Sequence, residues 1–145
     1  MSFRLLKDPM DIQKEEIPIS SQTVSVGEIL ELDAGNVNWE TGDASTEHWM
    51  RKGVATEAAT SSDTEVEVIL VHENQLWEAD ADSSSNSAHN GDRMRIGSAG
   101  LTVTNSGSDI TADTACFVQK APVGTAADAV VNGYFPNGGG INPDA

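Results

Sequence analysis

Glu65-Val-Glu-Val-Ile-Leu-Val-His72 is the stretch that decides the fold of this 145-residue chain. Val66, Val68 and Leu70 recur at every second position with Glu65 and Glu67 between them. Only a period of two puts those apolar side chains on one face and the carboxylates on the other. Ile69 and Val71 break the polar phase, which predicts that the far end of the strand is covered on both sides, as in a closed or two-layered sheet. Glu73-Asn74 marks a turn, and Gln75-Leu-Trp-Glu-Ala79 resumes the apolar content. The stretch therefore reads as a β-hairpin, with a turn that lacks the glycine of the best two-residue connections. Nothing in it is equipped for chemistry, so it belongs to a scaffold.

Working outward, other short alternating segments flank it. Thr23-Val-Ser-Val-Gly27 with Glu28-Ile-Leu-Glu-Leu-Asp33, Val37 to Glu40, and Thr46 to Lys52 running into Gly53-Val-Ala-Thr56 precede it; Asp92-Arg-Met-Arg-Ile96, Leu101-Thr-Val-Thr104 and Ala115 to Lys120 follow. Clusters of Gly, Ser, Asn and Asp separate them at spacings of roughly ten residues, the pattern of an all-β domain. The expected fold is a small antiparallel β-barrel or sandwich over residues 23–120, with extended N- and C-terminal arms.

Residues 1–22 carry Phe3, Leu5, Leu6, Met10, Ile12, Ile17 and Ile19, interrupted by Pro9 and Pro18. That is too apolar for an ordinary disordered tail and too broken by proline for a helix. An extended arm lying against another chain accounts for both, packing on its own domain being the plainer alternative. Residues 121–145 read as a tail whose anchors are Tyr134 and Phe135. These apolar side chains of the two arms are the expected partner-binding residues.

Acidic residues number 23 against 8 basic ones, a formal charge of -15. Such a surface repels nucleic acid and anionic membrane, and a basic partner, salt or cations would relieve its self-repulsion. The single cysteine, Cys116, excludes an intramolecular disulfide and a thiolate metal cluster, and its apolar neighbours mark it as a small core residue. No apolar run is long enough for a signal peptide or a membrane span, so the expectation is a soluble protein made in a cytoplasm.

Chemistry finds little support. His48, His72 and His89 lie in unrelated contexts, and no metalloprotease, nucleophile-elbow or phosphate-loop pattern is present. The expectation is no enzyme, no catalytic residue and no cofactor. Asp80, Asp82, Ser84 and Asn86 alternate as calcium ligands do, but Ser85 stands where the turn glycine is needed and Gly91 where the bidentate glutamate belongs. That segment reads as a solvated surface loop, with no metal expected. Trp39, Trp49 and Trp77 fit core or interface anchors better than a sugar platform in so aromatic-poor a chain.

The order of Val26-Gly-Glu-Ile-Leu-Glu-Leu32, Gly53-Val-Ala55, the central stretch with Leu76-Trp-Glu-Ala79, and Asn90-Gly-Asp-Arg-Met-Arg-Ile96 resembles that of tailed-phage head decoration proteins, also called capsid cement proteins, over roughly residues 23–120. The resemblance implies a structural virion protein on the capsid outer surface. It further implies a homotrimer at three-fold positions whose arms clamp neighbouring major capsid proteins. The loop at residues 80–92 and the Gly-rich C-terminal tail have no counterpart in that pattern. A carbohydrate- or calcium-dependent surface-binding β-module is the alternative.

Overall fold

The computed structural model describes residues 3–9, 12–82, 90–104, 113–123 and 129–136. The strands are β1 (Phe3–Lys7), β2 (Lys14–Pro18), β3 (Ile29–Leu32), β4 (Glu40–Thr41), β5 (Arg51–Ala55), β6 (Glu65–Leu70), β7 (Leu76–Ala81), β8 (Arg93–Ile96), β9 (Thr102–Thr104), β10 (Phe117–Pro122) and β11 (Val130–Tyr134). The protein is all-β, as its alternating segments require.

The strands form two sheets. One runs β1-β7-β11-β10-β8-β9, and β9 returns to pair with β7, so that five of its six strands close into a barrel. That closing contact is parallel, Asp80 opposite Thr102 and Ala81 opposite Val103, whereas the other pairings of the sheet are antiparallel. β1 occupies the same edge of β7 one step earlier, opposite Leu76 to Ala79. The second sheet, β2-β6-β5-β3-β4, is antiparallel throughout.

The pleat explains how the sheets stack. On β3, Ile29 joins the barrel core while Leu30 joins a second core; on β5, Val54 and Ala55 divide in the same way. The second sheet is thus apolar on both faces. Its outer face is covered by Ile19, Val24, Trp39 and Ala59, tied by isolated bridges between Ile19 and Trp39 and between Val24 and Ala59. β6 follows the alternation read from its sequence: Val66, Val68 and Leu70 pack on the second core and Ile69 packs against the barrel, so its far end is covered on both sides.

The hairpin expected between the two halves of the central stretch is not formed. β6 is flanked by β2 and β5, and β7 by β11 with β1 and β9, so residues 71–75 carry the chain from one sheet to the other. Gln75 is the post at that corner. Its fully buried amide donates to Leu70 O at 3.0 Å and to Asp8 Oδ2 at 3.1 Å, and its carbonyl accepts from His72 N at 2.8 Å and from Trp77 Nε1 at 3.0 Å. A two-residue hairpin would leave those groups without partners in the interior.

The expected terminal arms are also corrected. β1 and β2 are strands of the domain's own two sheets, and Phe3, Ile17 and Ile19 are core residues. Phe3 meets Phe117 and Phe135 at ring-centroid separations of 6.4 and 5.7 Å, and Phe135 meets Trp77 at 6.0 Å and Phe117 at 5.1 Å. Such ring pairs add about 0.5–1.5 kcal/mol each beyond the area they bury, which favours holding β1 and Phe135 against the core. Pro18 fits because it sits on an edge strand with its carbonyl turned outward to Trp39 N, so no ladder donor is lost. Residues 121–145 are likewise not all tail: β11 lies between β7 and β10, and Gly133 has no room for a Cβ, which would fall 2.1 Å from Val118 O. Residues 137–145 lie outside the described residues.

Candidate interaction surface

Of the expected partner-binding residues, Phe3, Ile17, Ile19 and Phe135 are buried in the protein's own cores. Met10 lies outside the described residues. Leu5 is half-buried against the barrel core, while Leu6, Ile12 and Tyr134 are 48%, 52% and 39% exposed.

The structure brings three of these together. The β1–β7 register slips between Leu5 and Lys7, so Leu6 is a bulged residue. A bulge leaves its extra residue out of the ladder and re-aims its side chain. Leu5, Leu6 and Ile12 then line an open groove of about 610 Å³ with Ile69 of β6, between the edge strands of the two sheets. Lys7, Asp8 and Lys14 complete its lining. Asp8 turns inward, its Oδ2 3.1 Å from both His72 Nε2 and Gln75 Nε2, and its side chain is only 2% exposed. Lys7 and Lys14 are exposed and form no ion pair among the described residues.

Next to the groove the charge reverses. Glu16 on β2 faces Glu67 on β6, and its carboxyl is held above the ordinary range first by desolvation and then by the carboxylates of Glu57, Glu67 and Glu65. Glu67 is anchored by Thr56 Oγ1 at 2.7 Å, and the Glu57 carboxylate accepts from Glu67 N at 3.1 Å.

A second polar group lies inside the protein. Lys52, 1% exposed, donates to His48 O at 2.9 Å and Met50 O at 2.7 Å. Glu31, opposite it on β3, is 7% exposed, and burial pushes its carboxyl up to about 7 despite a hydrogen bond from Thr46. Burial also lowers the Lys52 ammonium. Cys116 donates its thiol to Thr46 O at 2.8 Å, and burial pushes it up to about 12, which leaves almost no thiolate at neutral pH. These side chains tie the 43–50 segment to the sheets and are closed to solvent.

The remaining candidates separate. Trp77 is a core residue, Trp39 is buried beneath Arg51 with 5.6 Å from the guanidinium carbon to its ring centroid, and Trp49 is half-buried with Nε1 on Glu47, so they form no common platform. Asp80 accepts from Arg4 and Asp82 from Thr102, while Ser84, Asn86 and His89 lie outside the described residues. Among the described residues no three His, Cys, Asp or Glu side chains are placed to share a metal ion, and no helix is long and apolar enough to cross a membrane. Sequence reasoning missed the groove as a unit because its walls come from β1, the following connection and β6. The available signal was the pair of lysines beside exposed leucine and isoleucine in so acidic a chain. Comparison of the chain with protein-family models and with curated proteins finds no match.

Proposed function

We propose that this protein is a structural virion component that binds the outer surface of a viral capsid and stabilises it by bridging neighbouring major capsid proteins. The observation that carries this reading is the open groove at Leu5, Leu6, Ile12 and Ile69. It is an apolar surface held between the edges of two sheets that share a core, and Leu6 and Ile12 stand outside that core. Burying each such anchor on a partner contributes on the order of 1.5–3 kcal/mol before ordering costs, and repetition over a shell multiplies the effect by mass action. The resemblance in block order to capsid cement proteins supports the same reading, with assembly in threes as part of it. In this form the clamp is a surface of the folded domain and not a free arm.

The test is co-sedimentation of the purified protein with shells assembled from the cognate major capsid protein, followed by heating. Binding in fixed stoichiometry with a raised shell melting temperature is the expected result. Absence of binding, together with stabilisation of the isolated protein by a sugar or by Ca²⁺, would move the assignment to a surface-binding β-module.

A further inference from the structure

We propose that the groove at Leu5, Leu6, Ile12 and Ile69 is selective for an extended acidic segment, in which carboxylates flank an apolar side chain. This rests on the capsid reading, in which the major capsid protein presents that segment. Charge is the first argument. The chain has eight basic residues against 23 acidic ones, yet Lys7 and Lys14 both line this one groove and neither forms an ion pair among the described residues. Of the other six cations, Arg4 is committed to Glu78 and Asp80, Lys52 to two carbonyls and Arg51 to the face of Trp39, while Arg93, Arg95 and Lys120 lie on β8 and β10 and none of them lines the groove. Among the described residues the one carboxylate in the lining, Asp8, is drawn inward by His72 and Gln75. What faces the occupant is therefore an apolar floor between two ammonium groups, complementary to an apolar anchor between carboxylates.

Backbone geometry sets the shape of the occupant. Phe3 N–H points away from β7 and donates to Gly27 O, and strand alternation turns the N–H of Leu5 away from β7 as well. On β2, Gln13 O accepts from Leu70 N and Ile19 N donates to Thr64 O, so the odd-numbered residues face β6 and the backbone of Lys14 and Glu16 faces outward. Two strand edges thus border the groove, and an extended chain can satisfy them where a helix cannot. The carboxylates of Glu15, Glu16, Glu65 and Glu67 beside it repel an acidic chain that strays from this register.

The experiment uses the full chain with two synthetic peptides, one alternating aspartate with isoleucine and one alternating lysine with isoleucine, followed by amide NMR shifts. The acidic peptide is expected to bind, to move Leu5, Leu6 and Ile69, and to weaken as salt rises. Lys7→Glu with Lys14→Glu should reduce its affinity by about tenfold or more, as two exposed pairs become repulsions. Equal binding of both peptides, shifts away from the groove, or concentration-dependent shifts at Leu6 without peptide, which mark a second copy as occupant, would overturn the proposal. Shell binding separates the two readings. If the unaltered protein binds shells and the double variant binds them equally well, the groove proposal falls while the capsid reading stands. If the unaltered protein binds no shells, the capsid reading falls and the peptide result decides the groove's selectivity alone.

Discussion

Glu31 and Lys52 stand opposite each other on β3 and β5, both buried, yet they form no ion pair among the described residues: the ammonium is held by the carbonyls of His48 and Met50, and Glu31 Oε2 has no hydrogen-bond partner. A buried carboxylate oxygen without a partner is costly when charged and tolerable when protonated.

A pH dependence follows. The Glu31 carboxyl is raised from 4.5 to about 7, so between those values the folded state keeps a proton that the unfolded chain has released. The contribution of Glu31 is fully present below 4.5 and is lost as pH rises through about 7. Urea unfolding of the native protein and Glu31→Gln should diverge across this window by about 3 kcal/mol at most, the native protein losing more stability. Parallel pH profiles would refute it.

Gln75→Ala should cost about 2–4 kcal/mol, because it removes both the donor and the acceptor that hold the corner between β6 and β7 and strands Trp77 Nε1 in the core. Denaturant titration measures the loss. A cost below about 0.5 kcal/mol, typical of an ordinary surface change, would show that the corner does not depend on this side chain.

Phe3→Ala should destabilise the domain by about 3–5 kcal/mol, and deletion of residues 1–19 should unfold it, because β1, β2, Phe3, Ile17 and Ile19 belong to its sheets and cores. Circular dichroism of the truncated chain is the check. A folded truncation product would return these residues to the role of an arm.

Cys116 should resist thiol reagents in the folded protein and label at the rate of unfolding, since it is buried and its thiol is pushed up to about 12. Labelling time courses at several denaturant concentrations measure this. Rapid modification under native conditions would contradict the closed interior.

Leu6→Ser and Ile12→Ser should each change stability by no more than about 0.5 kcal/mol, as both side chains are half exposed. Together they should weaken shell binding by about tenfold or more on the capsid reading. Analytical ultracentrifugation of the same variants tests assembly: a trimer or a weakly associating monomer is expected, and a stable dimer would oppose it.

The class of fold was legible because alternation is a local property. Val66 and Val68, and Met94 and Ile96, each stand two apart, and β6 and β8 lie across them, while the alternation of Leu101 and Val103 runs into β9. Pairing partners are not local, which is why β6 and β7 read as a hairpin although they belong to different sheets. The N-terminal segment misled through its prolines. Phe3 with Leu5 and Ile17 with Ile19 already show the strand period, while Pro9 falls in a connection and Pro18 on an outer edge, where proline does no harm. The groove depends on a bulge at Leu6 and on the approach of Ile69, and Lys52 and Glu31 are charged residues that patterning assigns to solvent.

The return of β9 to β7 has a consequence for synthesis. The strands of the second sheet lie between Lys14 and Leu70 and can pair once that length has left the ribosome, but β1 must wait for β7, and the barrel cannot be completed before β11 has emerged. Until then Ile29 and Val54 present the apolar inner face of a finished sheet to water. Translation speed through residues 71–134 therefore sets how long a half-made chain is exposed to aggregation, and slow codons there should lower the yield of soluble protein more than slow codons before it.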